Sequence, residues 1–159
     1  MIRSYGEGIS TFVETGTGPA TTTAALVDCF DSIYTIELDW HFYLSAVCRF
    51  ANTPKVLPIY GDSVKVLNRL TKVLNRPALY WLDAHFCGGI KGSEETPILG
   101  ELAEIVFPGP HNVILIDDAS MFGADPEPPH TERWPSMDEI RLALPGYRLL
   151  VLDDIIRAT

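Results

Sequence analysis

The sequence predicts an α/β domain in which helices cover both faces of a mostly parallel sheet. Three observations carry this. Short β-rich apolar runs alternate with longer amphipathic stretches, Gly16 and Gly18 stand in the turn that leaves the first run, and the last two runs are separated only by Asp153-Asp154.

The runs Thr11–Glu14, Ile33–Glu37, Val56–Tyr60, Ala78–Leu82 and Asn112–Ile116 read as strands. Each is followed by a helical stretch, at 21–30, 40–51, 63–75, 95–106 and, after a loop, 135–144. Strands separated by helices of this length imply βαβ units and a parallel sheet. The runs are nearly continuous in apolar residues, the pattern of strands covered on both faces. Tyr147–Asp153 and Ile155–Ala158 are the last two strands. Two residues are too few for a parallel crossover, so this pair is expected to form an antiparallel hairpin.

With 159 residues, 47% of them hydrophobic and 21% charged, the chain suits one globular domain spanning 1–159. The net charge of −9 and the thin scatter of Arg69, Lys72 and Arg76 argue against a nucleic-acid partner. No apolar run approaches the roughly 20 residues that cross a bilayer, so no membrane role is expected, and a cytoplasmic location is the default. Cys29, Cys48 and Cys87 are odd in number and form no CxxC pair, as suits reduced thiols.

The turn Glu14-Thr15-Gly16-Thr17-Gly18-Pro19-Ala20 runs from the first strand into Thr21-Thr22-Thr23 at the start of a helix. Glycines there let backbone approach a ligand closely. A dinucleotide fingerprint wants a small residue at its sixth position, where Thr21 stands, and Glu14 would set a carboxylate near a pyrophosphate. A ligand carrying both an ammonium and a carboxylate suits the turn better. Glu37 follows Gly16 by 37 − 16 = 21 residues, the spacing at which an acidic residue meets ribose hydroxyls. Asp62, in Gly61-Asp62-Ser63, can cap the following helix and also accept from an adenine amino group.

The series ETGTGPATT, IELD, GDS, LDAHFCGG and ILIDD resembles the class I S-adenosylmethionine-dependent methyltransferases. It is most similar to small bacterial and environmental domains with an acidic pair after the fifth strand. The resemblance spans essentially the whole chain. It implies a Rossmann-like three-layer sandwich whose seven-stranded sheet has the order 3-2-1-4-5-7-6. It also implies S-adenosylmethionine as cofactor, bound by Glu14, Gly16, Thr17, Gly18, Thr21, Glu37, Asp62, Ser63 and Asp83. Ala20 stands where relatives carry a third glycine, and little chain precedes the first strand.

Two clusters carry candidate chemistry. Asp83 ends a buried apolar run and His85 follows two residues later, a pair suited to proton transfer from an acceptor hydroxyl. Asp117-Asp118 ends the fifth strand, and adjacent carboxylates repel unless a cation or donors compensate. Asp83, Asp117 and Asp118 together resemble the divalent-metal sites of catechol-type and sugar O-methyltransferases, with Mg²⁺ the expected ion. Trp81 reads as core, and Trp134 either closes over a substrate or anchors the following helix. His41 and His111 show no convincing partner. The Gly-rich segment 87–96 and the segment 119–135, with Pro126, Pro128 and Pro129, follow strand ends and are candidate substrate loops.

These residues point to O-methylation of a small polar or saccharide acceptor. The alternatives are a nicotinamide-dependent oxidoreductase and a non-catalytic S-adenosylmethionine-binding module. A second copy of the chain could cover a site with so little chain ahead of the first strand, so a homodimer is a further expectation. The acceptor itself is not readable from the motifs.

Overall fold

The computed structural model describes residues 2–85, 96–106, 112–125 and 134–159. Their elements run α1 (Ile2–Tyr5), β1 (Thr11–Thr15), α2 (Thr21–Leu26), β2 (Ser32–Glu37), α3 (Trp40–Arg49), β3 (Val56–Tyr60), α4 (Ser63–Leu70), β4 (Ala78–Leu82), α5 (Ile98–Val106), β5 (Val113–Ile116), α6 (Met137–Ala143), β6 (Leu149–Leu152) and β7 (Ile155–Ala158). The strands form one sheet in the order β3-β2-β1-β4-β5-β7-β6. Strands β1 to β5 pair in parallel, whereas β7 runs antiparallel to both β5 and β6. The expected order and terminal hairpin are both present.

Alternation along each strand divides the core into two layers. Val13, Tyr80, Leu82, Ile114, Ile116 and Ile156 pack under α4, α5 and α6. Their neighbours Phe12, Leu79, Trp81, Leu115 and Ile155 pack on the other face with Leu26, Ala46 and Phe50. Trp81 is core, as its sequence context predicts.

Local boundaries differ from the sequence reading where caps decide them. Asp39 caps α3 by accepting from the His41 and Phe42 amides, and Ser136 closes a capping box with Glu139 on α6. The stretch 21–30 is helical only to Leu26 and tightens into a 3-10 turn at Val27–Cys29. Strand β6 is shorter than Tyr147–Asp153 because Asp153 and Asp154 take φ values of 54° and 59°. Two left-handed residues make the two-residue turn that matches strand twist. The short helix α1 carries no period that a four-residue sequence window could reveal.

Cys29 and Cys48 are free and exposed. Among the described residues, no helix is long and apolar enough to cross a membrane.

Buried carboxyls beneath the strand ends give the fold a pH dependence. Glu101 on α5 is fully buried, and neither oxygen meets a partner in hydrogen-bonding geometry. Gly100 brings α5 against α4, since a Cβ there would lie 2.9 Å from Val64 Cγ2. Burial pushes the Glu101 carboxyl from 4.5 up to about 7, with the Ser63 and Thr15 hydroxyls opposing the shift and Asp62 reinforcing it. The fold therefore holds this proton more tightly than the unfolded chain does. The resulting stability is complete below the unfolded value and is lost as pH rises through about 7. Glu101→Gln, fixed in the neutral shape, should be neutral to stability near pH 4 and stabilising by roughly 2–3 kcal/mol near pH 8. Denaturant unfolding of both proteins at the two pH values checks this; a difference independent of pH would refute it.

Candidate active site

The site is built at the carboxyl ends of β1, β2, β4 and β5, where parallel α/β sheets bind ligands. Gly16 leaves β1 with φ 78°, and its amide donates to Ile36 O. A Cβ on Gly16 would fall 2.1 Å from Asp83 O, so the turn and the end of β4 pack backbone against backbone. Gly18, with φ 48°, has nothing within 4 Å of a built Cβ. Ala20 also takes a left-handed conformation, φ 59°, which explains why a glycine at this position is the easier choice. Arg49 of α3 donates to Pro19 O at 2.9 Å and ties the turn to the helix after β2.

Glu14 lies behind this turn and is 1% exposed. Its carboxyl accepts from the Thr23 and Thr35 hydroxyls, and Thr35 in turn meets Thr17. The group thus joins β1, β2, the turn and α2. Burial pushes its pKa up to about 7, against the lowering effect of the two threonines.

Glu37, at the end of β2, accepts from the Gly18 amide through Oε2 and the Asp39 amide through Oε1, each at 2.8 Å. A cavity of about 380 Å³ opens over these groups. Its walls include Gly16, Thr17, Gly18, Thr21, Glu37, Asp83 and His85 from the sequence prediction, together with Asp39 and Phe42, which the motif reading missed. Glu14, Asp62 and Ser63 are not among the lining residues. Asp62 does cap α4, accepting from the Lys65 amide at 3.2 Å. Asp39 was legible as a helix cap two residues after Glu37. Phe42 carries no signal beyond its place in the first turn of α3.

Beside the cavity, His85 stands between two carboxylates. Its Nδ1 lies 3.4 Å from Asp83 Oδ1, and its Nε2 lies 3.3 Å from Asp118 Oδ2. Backbone geometry aims both acids. The Asp83 amide donates to Thr15 O at 3.2 Å, and Asp118 takes a left-handed φ of 54° two residues after β5. The Asp83 carboxyl is pushed up to about 7, first by burial and then by Asp117, Asp118 and Glu14. Asp117 is also raised by burial, with His85 acting in the opposite sense. The His85 ring packs 5.2 Å from Trp134, which is 3% exposed and meets Phe122 edge-on. Trp134 is therefore a buried wall of the site, placed just before α6.

The ligand atoms of Asp83, His85 and Asp118 lie within 4.8 Å of one another. Of the expected trio of carboxylates, the structure gathers Asp83 and Asp118, and His85 takes the third place in that group. A nitrogen in the set broadens the ions that fit beyond the all-oxygen preference of Mg²⁺. His41, on α3, contributes only a backbone amide to the Asp39 cap. His111, Cys87 and the rest of 87–95, and residues 126–133 of the candidate loop 119–135 lie outside the described residues.

No family model matches the sequence, and no curated protein matches it. Solved structures do match its fold. The S-adenosylhomocysteine-bound methyltransferase PaMTH1 of Podospora anserina superposes over 99% of this chain and 75% of its own, with a TM-score of 0.68 and 16% identity. An O-methyltransferase of Bacillus cereus, also bound to S-adenosylhomocysteine, gives 0.66 at 14% identity, covering 99% of this chain and 78% of its own. CalS10 of Micromonospora echinaspora, an amino pentose methyltransferase bound to S-adenosylmethionine, gives 0.65 at 13% identity over 99% and 86%. At such identities the shared property is the fold, seven strands in the same methyltransferase arrangement.

Proposed function

We propose that this chain, which has the fold of the class I S-adenosylmethionine-dependent methyltransferases, transfers a methyl group from that cofactor to an oxygen of a small polar or saccharide acceptor. The observation that carries the reading is a juxtaposition. Gly18 and Glu37 of the predicted cofactor turn, and Asp83 and His85 of the predicted acceptor cluster, line one cavity.

The cavity fits the cofactor on the chain's own terms. The open space over Gly18 admits a ligand against the backbone, and Glu37 presents a carboxylate at the place where ribose hydroxyls are read. Gly16, Thr17, Gly18 and Thr21 would form its bed and Glu37 its ribose contact, with the adenine end reaching past the cavity toward Asp62 at the start of α4. Glu14 would act from behind the turn, holding Thr23 and Thr35 so that the bed keeps its shape. When bound, S-adenosylmethionine supplies an electrophilic methyl group.

For an acceptor hydroxyl, catalysis then requires alignment and removal of a proton. His85 would take the proton: Asp83 at Nδ1 orients the ring and Trp134 restricts its tilt, while Nε2, which faces Asp118, would accept it once the acceptor hydroxyl stands between Nε2 and Asp118. The same three residues could instead hold a divalent ion such as Mg²⁺, with Asp117 alongside, in which case the ion lowers the pKa of the acceptor. The acidic composition favours small acceptors over nucleic acid.

Calorimetric titration of the purified protein with S-adenosylmethionine and, separately, with NAD⁺ tests the cofactor assignment. Binding of the first and not the second is expected, and the reverse outcome would overturn the reading. Turnover of labelled cofactor over a panel of phenolic and saccharide acceptors, with and without EDTA, then divides the two acceptor mechanisms. Loss of turnover in EDTA that Mg²⁺ restores assigns the cluster to a metal. Undiminished turnover removes the metal and leaves the proton to a protein group, which the His85→Ala variant then tests.

A further inference from the structure

Strand β6 is the last in the sheet, and the register shows which of its backbone groups face outward. Arg148 and Thr159 exchange both backbone hydrogen bonds, at 2.8 and 3.1 Å, so Arg148 turns its N–H and C=O toward β7. These directions alternate along a strand. Leu150 and Leu152 therefore also face β7, and Leu149 and Val151 direct theirs to the open side.

The side chains there are apolar and uncovered: Leu150, Val151 and Leu152 are 47%, 50% and 50% exposed. No lysine, proline or bulge interrupts Leu149–Leu152, although natural edges are usually guarded by such features. Charge appears only at the two ends, Arg148 before the strand and Asp153-Asp154 after it, all exposed.

We propose that β6 pairs antiparallel with β6 of a second copy of this chain, joining two sheets across a twofold axis. An antiparallel partner must set outward-facing residues opposite outward-facing residues. Leu149 then faces the second copy's Val151, and Leu150 sits on the axis against its counterpart. This register engages the N–H and C=O of Leu149 and Val151 in each copy. A register shifted by two would instead place Val151 on the axis and call on Asp153, whose φ of 54° takes it out of the strand.

Charge selects the direction. Within each chain Arg157 already pairs with Asp153, and Asp154 accepts from Ser120, so the charge left at that end is that of Asp154; antiparallel pairing brings the Arg148 end of each strand to it, twice, whereas parallel pairing sets like ends together. The seam is short for a standard interface of ~1,600 Å², so the dimer should be reversible, with Kd on the order of 10–100 µM. It lies beyond β5 and β7 and leaves the cavity over β1 and β2 open. The proposal therefore stands whether or not the chain transfers methyl groups.

Sedimentation velocity from roughly 5 to 500 µM protein should show a monomer–dimer equilibrium. Val151→Pro removes an outward N–H that no intrachain ladder uses, and should weaken the dimer at least about tenfold with little change in melting temperature. Arg148→Glu should also weaken it and flatten its dependence on salt. This second variant decides the matter if Val151→Pro melts early. A monomer at every concentration, or a dimer that neither substitution weakens, would overturn the proposal.

Discussion

Gly18→Val should fold and lose its cofactor, whereas Gly16→Ala should not fold properly at all. The two glycines stand two residues apart in one motif, but the structure gives them different work. A Cβ on Gly16 meets the Asp83 carbonyl oxygen at 2.1 Å and its carbon at 2.7 Å. Both are backbone atoms at the end of β4, held by the bond from the Asp83 amide to Thr15 O, so nothing can swing aside. With the positive φ added, the expected cost is at least about 3 kcal/mol, and Gly16→Val should cost more and abolish binding with it. At Gly18 a Cβ meets nothing within 4 Å. The cost there is the left-handed conformation alone, roughly 1–2 kcal/mol. The new side chain instead occupies the cavity, and affinity for S-adenosylhomocysteine should fall at least ~100-fold, about 2.7 kcal/mol. Thermal melts and calorimetry on the two variants separate these effects. Wild-type affinity in Gly18→Val would remove the cofactor from this turn.

The second large effect is expected at His85. The ring lies between Asp83 and Asp118 and against Trp134, so its position is fixed by three neighbours. It lines the cavity without holding the glycine turn proposed to bed the cofactor. His85→Ala should therefore keep cofactor affinity within about twofold while lowering kcat by 10²–10⁴, roughly the contribution of a positioned acid–base group. Single-turnover measurement at saturating cofactor reads the chemical step directly. Wild-type kcat in this variant would move the proton to another group. A matched loss of cofactor affinity would make His85 part of the binding surface.

Much of the site could be read in advance because its parts are local in sequence. A glycine pair after an apolar strand, an acid at the end of the next and an Asp-x-His after the fourth each sit within a few residues of a strand end. The sheet then brings strand ends together. What sequence reading missed depends on contacts between elements. Glu101 occupies a helical stretch whose pattern does not reveal that Gly100 lets α5 sink against α4 and bury the carboxyl. Thr23 and Thr35 look like ordinary helix and strand residues until Glu14 is found between them. Trp134 was ambiguous because its two roles have the same local sequence; its contacts show both, packing on His85 and lying in the core with Ile140 and Leu144 at α6.

By itself, then, the sequence determined the alternation of strands and helices, the antiparallel end and the identity of the groups at each strand end. Hydrophobic period, turn chemistry and the impossibility of a two-residue crossover act over short distances and are written into neighbouring residues. Tertiary structure decided which of those groups meet. It brought His85 into one group with Asp83 and Asp118 and kept Asp117 close enough to act on Asp83, set Glu14 behind the glycine turn, and left β6 with an open apolar edge. Those outcomes depend on separations of a few ångströms between residues far apart in the chain, which only the packing of helices on a twisted sheet fixes.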